Sequence, residues 1–149
     1  MILYTNADGL LNKKDELLLQ TDKMKPKIIA ITETVPKNIS DFVLSEYKLE
    51  IFEIFHNENP KRGVALYIDR TLQAQACDTL NKCTFREAIW CQFQTEAKEK
   101  VLVGCIYKSP NTTEDNLKEL YRLFQKQEIQ NYDKVCIMGD FNFPDMNWE

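Results

Sequence analysis

The chain has 149 residues, of which 44% are apolar and 28% are charged, and its formal net charge is −4 at neutral pH. This length supports one hydrophobic core, so we expect a single domain over residues 1–149, and the few glycines and prolines argue against a disordered chain. No apolar run is long enough to span a bilayer and no signal-type segment opens the chain, which predicts an intracellular protein, nuclear or cytoplasmic, with no membrane partner.

Strand-like and helical patterns alternate along the first two thirds of the chain. Residues 2–5 predict a strand, and residues 11–24 predict a helix with Leu17, Leu18 and Met24 on its apolar side, ending before Pro26. Further strand-like runs follow at residues 28–32, 47–55, 63–68, 71–77, 88–94 and 100–107.

The last part of the chain predicts a helix followed by a buried strand. Residues 113–127 form the helical pattern, capped by Thr112 or Thr113, and the apolar residues of that helix that repeat at helical spacing are expected in the core: Leu117, Leu120, Tyr121 and Phe124. Residues 134–138 predict a short strand that exits at Gly139. Helices interleaved with many strands predict an α/β sandwich.

Polar side chains follow four of the predicted strands. Asn6 follows the first strand, Glu33 ends the second, Tyr107 ends a later one, and Asp140 and Asn142 come after the last. Ligands of α/β sheets collect at the carboxyl ends of strands, so these residues are expected to converge on one pocket. The five cysteines are odd in number and lack Cys-x-x-Cys spacing, which predicts reduced, mostly buried thiols and no zinc site.

Several short motifs occur in an order that resembles the endonuclease/exonuclease/phosphatase superfamily. They are Asn6 with Gly9-Leu10 and residues 14–17, Glu33 within Ile31-Thr32-Glu33-Thr34, residues 63–68, residues 107–110, and Gly139-Asp140-Phe141-Asn142. Together with residues 143–148, these motifs look most like the endonuclease domains of non-LTR retrotransposons.

The resemblance implies a site for phosphodiester hydrolysis. Glu33 and Asn6 would hold Mg²⁺, or Mn²⁺ in its place, through carboxylate and amide oxygens, which are the hard ligands that such cations prefer. Asp140 would orient or deprotonate the attacking water, Asn142 would hold a phosphate oxygen, and Tyr107 would donate its phenol to the charge developing on phosphorus. The implied partner is DNA.

The resemblance also implies an architecture. By this resemblance, the expected fold is a four-layer α/β sandwich of the DNase I-like type. In complete members of the superfamily, the second half of the chain brings further acidic residues and a catalytic histidine. This chain is therefore expected to hold an incomplete fold, the first half plus the start of the second, with weak or no activity. We also expect an exposed apolar sheet face and self-association through it.

Each candidate residue also has an interpretation without catalysis. Asn6 would cap the first helix or shape its turn, Glu33 would be a surface acid, and Tyr107 would pack its ring at a strand end. Glu87 and Asp145 would support the site or lie on the surface. His56 precedes the Tyr107 segment, does not match the family's histidine, and is interpreted as a loop or strand-end residue without a catalytic role.

The net charge weighs against tight nonspecific binding to nucleic acid, although carboxylates at a metal site contribute to it. The clustered basic residues are interpreted as solvated surface groups: Lys13, Lys14, Lys23, Lys25, Lys27, Lys61 and Arg62. Three functions stay open. They are a metal-dependent DNA endonuclease domain of a retrotransposon-like protein, a noncatalytic remnant that binds a partner, and a superfamily hydrolase acting on a small phosphate ester or lipid.

Overall fold

The computed structural model describes residues 1–36, 44–57 and 62–143. The strands in these ranges are β1 (Ile2–Asn6), β2 (Ile28–Thr32), β3 (Phe52–Asn57), β4 (Val64–Asp69), β5 (Gln75–Ala76), β6 (Ala88–Gln94), β7 (Lys100–Tyr107) and β8 (Lys134–Asp140). The α-helices are α1 (Lys14–Met24), α2 (Asp78–Asn81), α3 (Glu114–Phe124) and α4 (Gln127–Gln130), with short 3₁₀ helices at Leu10–Lys13, Leu44–Tyr47 and Arg70–Leu72.

The strands form two four-stranded sheets. The first sheet has the order β1-β2-β4-β3 and the second has the order β5-β6-β7-β8. Strands β1 and β2 are parallel, as are β7 and β8, whereas the other neighbours are antiparallel. Each parallel pair is joined through a helix, α1 in the first sheet and α3 with α4 in the second, as parallel strands require.

The two sheets pack face to face between helices. Ala30 and Leu66 of the first sheet share a fully buried inner cluster with Val103 and Cys105 of the second. Helix α1 and the neighbouring 3₁₀ helices cover the outer face of the first sheet, and α2, α3 and α4 cover the outer face of the second. The predicted four-layer α/β sandwich is confirmed. The expectation that the inner face of a sheet is exposed is wrong, because each sheet covers the inner face of the other.

The uncovered parts of the sheets are edges. Among the described residues, four strands pair with a neighbour on one side only: β1, β3, β5 and β8. Ile2 and Tyr4 of β1 and Val135 of β8 are correspondingly exposed. The expected self-association stays a prediction, although the inner sheet face through which it was expected is covered.

Several boundaries and faces differ from the sequence prediction. Residues 47–51 are not a strand, since Tyr47 ends a 3₁₀ helix, and of residues 71–77 only Gln75–Ala76 pair. In α1, Leu17 is buried but Leu18 is 43% exposed. In α3, Leu120 is buried, whereas Tyr121 is 52% exposed because it lies about 100° further around the helix.

The predicted cap of α3 and the predicted free thiols are confirmed. The Thr113 hydroxyl accepts a hydrogen bond from the Asn116 backbone nitrogen at 3.3 Å and caps α3. The five cysteines are free thiols, and all but the half-buried Cys136 are buried. Within the described ranges, no helix combines the length and the apolar character needed to cross a membrane.

Candidate active site at the joined strand ends

The carboxyl ends of four strands meet where the two sheets face each other. Asn6 is the last residue of β1 and pairs with Thr32, the last residue of β2. Tyr107 and Asp140 are the last residues of β7 and β8 and also pair with each other. Glu33 follows β2 directly. The predicted convergence of these residues is what the strand geometry produces, since parallel neighbours end at the same edge of a sheet.

The side-chain amide of Asn6 lies at the centre of this cluster. Its nitrogen Nδ2 donates to Glu33 Oε1 at 3.1 Å and to Asp140 Oδ2 at 3.3 Å, which joins the two sheets. Its oxygen Oδ1 accepts from the Asp8 backbone nitrogen at 3.1 Å. Asn6 therefore shapes the turn after β1, as one alternative expected, and also contacts both acids. It does not cap a helix, because Gly9 precedes the first 3₁₀ helix without a side-chain cap.

Glu33 is held in a specific position. Its backbone has a φ of 55°, in the left-handed region that non-glycine residues adopt rarely and mostly at turns and functional sites. Its carbonyl accepts from the Gly9 nitrogen at 2.8 Å. Burial raises the pKa of Glu33, but hydrogen bonds from Asn6, Arg62 and Tyr107 outweigh it and bring that pKa below the ordinary value. With its side chain 15% exposed, Glu33 is not a surface acid.

Tyr107 has two parts with different surroundings. Its ring is buried in the core between the sheets, and its hydroxyl hydrogen-bonds to the Glu33 carboxylate. Burial and the adjacent negative charge of Glu33 raise the pKa of Tyr107 to about 12. The phenol is therefore a neutral donor at physiological pH. The packing interpretation and the functional one are both compatible with this position.

The Gly139-Asp140 segment continues the sheet. The predicted strand exit at Gly139 is wrong, because β8 runs through Asp140. A Cβ atom on Gly139 would lie 1.8 Å from the carbonyl oxygen of Ile106, its partner in β7. The residue must be glycine because the two backbones approach so closely here.

Asn142 is close to Asp140 but turns its side chain toward β7. Its backbone nitrogen donates to Asp140 Oδ1 at 3.2 Å, and its Nδ2 donates to the Lys108 carbonyl at 2.8 Å. Its φ is 44°. Lys108 Nζ in turn donates a hydrogen bond to the Asn142 carbonyl at 2.9 Å. This Nζ also lies 4.6 Å from the centre of the Phe143 ring.

Lys108 is a site residue that the sequence did not reveal. It is only 7% exposed although lysine is normally a surface residue, and its backbone nitrogen donates to the Asp140 carbonyl at 2.8 Å. These contacts fix the segment that carries Asp140 and Asn142. Its place directly after Tyr107 was the one signal available in the sequence.

Asp8 and Arg62 were also missed. A terminal nitrogen of Arg62, Nη2, donates to both Asp8 Oδ1 and Glu33 Oε2. The interpretation of Arg62 as a solvated surface group is wrong, because its side chain is 12% exposed. Asp8 could have been found from its spacing, since residues two apart in an extended segment share a face with Asn6. Lys61 lies outside the described residues.

Glu87 and His56 contact segments that follow two of the site residues, Tyr107 and Glu33. Glu87 is 4% exposed, so its surface interpretation is wrong. It accepts from the Ser109 nitrogen at 3.5 Å and from Asn116 Nδ2 at 3.3 Å, which holds the turn after Tyr107. His56 lies within β3, with its Nε2 3.0 Å from Thr34 Oγ1. Asp145 lies outside the described residues, as do the Pro144 and Trp148 of the retrotransposon-like tail.

The donor set fits a hard divalent cation. In the part of the chain that the structure describes, no three or more His, Cys, Asp and Glu side chains are grouped as a metal site. Mg²⁺ nevertheless needs only one or two carboxylates, completed by waters and substrate phosphate. Glu33 and the Asn6 amide, 3.1 Å apart, meet this requirement once the amide turns its oxygen toward the cation. The site thus offers oxygen ligands of the kind that a hard divalent cation takes.

Comparison with solved structures shows that the fold is shared. The endonuclease domain of TRAS1, a telomere-specific non-LTR retrotransposon, matches with a TM-score of 0.70 at 17% identity over 97% of this chain and 61% of that chain. D. rerio TDP2, complexed with single strand DNA product, matches with 0.65 at 15% identity over 97% and 61%. An AP endonuclease from Archaeoglobus fulgidus matches with 0.64 at 18% identity over 95% and 56%.

This chain spans about three-fifths of the length of those solved structures. The sequence matches no protein-family model and no curated protein sequence. The structural matches establish that the chain has the DNase I-like α/β sandwich fold.

Proposed function

We propose that this chain, which has the fold of the endonuclease/exonuclease/phosphatase superfamily, supplies the core of a divalent-metal-dependent endonuclease site that nicks DNA. The observation that carries the proposal is the contact of the Asn6 amide with both Glu33 and Asp140 where the two sheets meet. Glu33, which would bind the metal, and Asp140, which would accept a proton, both contact this amide, and the neutral Tyr107 phenol lies on Glu33. Phosphodiester hydrolysis needs groups of these kinds.

Each of the site residues has a different role in the proposed hydrolysis. A bound Mg²⁺ or Mn²⁺ would act as a Lewis acid on the scissile phosphate and stabilise the leaving oxygen. Glu33 and Asn6 would hold that cation. Asp140 accepts a proton from water as the oxygen of that water bonds to phosphorus and the bond between phosphorus and the leaving oxygen breaks. Tyr107 donates its phenolic proton in a hydrogen bond to a phosphoryl oxygen, where negative charge develops.

Asn142 has a more limited role in this scheme. One hydrogen of its amide is used by the Lys108 carbonyl, which leaves the second for a phosphate oxygen. The same bond fixes the orientation of the amide. Asn142 therefore binds phosphate from a preorganised position, which reduces the entropy lost on binding.

A retrotransposon-type setting is the most specific part of the proposal. It is supported by the order of the motifs and by the match to the TRAS1 endonuclease domain. In that setting the substrate is DNA and the protein works inside the cell, in the nucleus or cytoplasm. Two other functions compete with it. A noncatalytic fragment would fold and bind a partner, and a related hydrolase would act on a small phosphate ester.

Nicking of supercoiled plasmid tests the proposal. The chain is incubated with Mg²⁺, Mn²⁺ or EDTA beside Glu33→Gln and Asp140→Asn variants, which keep the shape of each side chain. Matched controls are Glu50→Gln and Asp22→Asn, at exposed acids on the surface. We expect weak, metal-dependent nicking by the wild-type chain, which falls by about 10²-fold or more in the site variants and stays unchanged in the controls.

The other outcomes identify the competing functions. Folded wild-type chain that nicks no plasmid at any metal concentration would favour the noncatalytic fragment. Hydrolysis of a small chromogenic phosphodiester, but not of plasmid, would favour the small-ester hydrolase. Equal nicking by wild type and both site variants would contradict the assignment of Glu33 and Asp140.

A further inference from the structure

Arg62 is held over the carboxylate of Glu33 by the backbone. The Val35 nitrogen donates to the Arg62 carbonyl at 2.8 Å, and the Thr34 nitrogen donates to the Gly63 carbonyl at 3.3 Å. These two bonds tie the turn before β4 to the residues that directly follow Glu33. Gly63 has a φ of 69°, and a Cβ atom there would lie 2.4 Å from Thr34 Oγ1. The turn is therefore built to bring Arg62 to this place.

The guanidinium of Arg62 uses only part of its hydrogen-bonding capacity. Nη2 bonds to Asp8 and Glu33, whereas Nε and Nη1 are buried and have no hydrogen-bond partner among the residues that the structure describes. A guanidinium has five N–H donors, and buried donors without acceptors cost free energy. The arrangement neutralises the carboxylates, but it leaves donors that match the oxygens of a phosphate.

One position in the site thus attracts either of two cations. The Glu33 carboxylate is the residue we assign to the divalent cation, and its Oε2 is the atom to which Arg62 donates. Asp8 carries a second negative charge beside it, with its side chain 66% exposed. A divalent cation and a guanidinium cannot both take this position at contact distance, because like charges so close together repel strongly.

We propose that Arg62 is an internal substitute for the divalent cation. It neutralises Glu33 and Asp8 when no cation is bound, competes with cation binding, and after displacement pairs with a phosphate of the nucleic acid. This inference rests on the proposed function, because it requires Glu33 to be a cation ligand. It adds a residue that links cation binding to substrate binding: the cation releases the guanidinium, and the released guanidinium binds DNA.

The test measures two binding equilibria without catalysis. Mn²⁺ binding to the chain alone is followed by electron paramagnetic resonance, and binding of a short fluorescein-labelled DNA by anisotropy in Ca²⁺. The variant is Arg62→Gln. The matched control is Arg122→Gln, which removes the same charge from the exposed face of α3, where Arg122 pairs only with Glu119.

Competition predicts opposite changes. Without DNA, Arg62→Gln should bind Mn²⁺ about tenfold more tightly, a gain comparable to the loss of one partly buried ion pair. It should bind DNA more weakly, with a salt dependence whose slope is reduced by about 1, as expected for one lost phosphate contact. Arg122→Gln should match wild type in both measurements.

Each contrary result has a distinct meaning. Weaker binding of both Mn²⁺ and DNA by Arg62→Gln would show that Arg62 only supports the structure, and it would overturn this inference. An unchanged Mn²⁺ affinity would overturn it as well, while leaving the proposed endonuclease function intact. Wild-type chain that is folded and binds no Mn²⁺ would overturn the metal-dependent function itself.

Discussion

The phenol of Tyr107 hydrogen-bonds to the carboxylate of Glu33, although Tyr107 ends a strand of the second sheet and Glu33 follows a strand of the first. The bond helps to keep Glu33 ionised, and the negative charge in turn helps to keep Tyr107 protonated. Both groups are thus in the protonation states that cation binding and hydrogen-bond donation require.

Replacing Tyr107 with phenylalanine tests the hydroxyl separately from the ring. Tyr107→Phe keeps the buried ring in the inner core, so we expect the thermal unfolding temperature to change little and the nicking rate to fall by about 10²-fold. The control is Tyr132→Phe, which removes a phenol that donates to Gln92 far from the site. Equal rates for Tyr107→Phe and wild type would exclude the phenol from the reaction.

Lys108 is predicted to position the Asp140 segment. Lys108→Met keeps a long side chain but removes the 2.9 Å bond to the Asn142 carbonyl and the cation beside the Phe143 ring. We expect nicking to fall by roughly tenfold and the free energy of unfolding by about 1–2 kcal/mol. Lys118→Met is the control, since Lys118 is exposed and pairs with the exposed Asp115. A loss of stability with full activity would limit Lys108 to a structural role.

Gly139→Ala is expected to be among the most damaging single substitutions in this chain. The added methyl group would meet a backbone oxygen of β7, which cannot rotate away as a side chain can. Overpacking of this kind should cost about 3 kcal/mol or more, measured by urea unfolding. Lys134→Ala, at the exposed start of the same strand, should cost under about 0.5 kcal/mol. A stable Gly139→Ala protein would mean that β7 and β8 separate locally at little cost.

His56 is expected to make the stability depend on pH. Burial lowers the pKa of His56 from 6.5 to about 4, so the folded state resists a proton that the unfolded state accepts. Stability should be full above pH 6.5, fall between pH 6.5 and 4, and lose no more from this group below pH 4. The loss should be at most on the order of 3 kcal/mol.

Urea unfolding of wild type and His56→Gln across this range isolates the histidine. The carboxylates titrate in both proteins, so only the difference between the two curves reports on His56. That difference should be constant above pH 7 and shrink as the pH falls toward 4. Parallel curves throughout would show that His56 titrates alike in the folded and unfolded states.

Much of the site could be predicted because it depends on local patterns. Continuous apolar runs such as residues 28–32 mark buried strands, and a polar residue directly after such a run lies at the carboxyl end of the strand. Asn6, Glu33, Tyr107 and Asp140 were all found in this way. Parallel pairing then brings residues together within each sheet, and the packing of the two sheets brings the two groups together. The capping of α3 by Thr113 is equally local, since it requires one side chain and the first helical turn.

What the sequence could not reveal depends on contacts between distant segments. Arg62 has no local pattern that distinguishes it from a surface arginine, and its burial results from the pairing of its turn with residues 34–35. Tyr121 has the spacing of a core residue, but the width of the covered face of α3 is set by the sheet beneath it. The partition of strands into two sheets, which determines that the inner faces are covered, is likewise a tertiary property.

The bond between Asn6 and Asp140 joins residues that are 134 positions apart in the chain. At about 5–20 residues per second, a ribosome makes Asp140 roughly 7 to 27 s after Asn6. Strands β1, β2 and β4 can pair during that interval, but the amide of Asn6 has no Asp140 to contact until β8 has emerged. A growing chain therefore carries no assembled site before β8 has emerged from the ribosome, and the chemistry we propose cannot begin until synthesis has passed that strand.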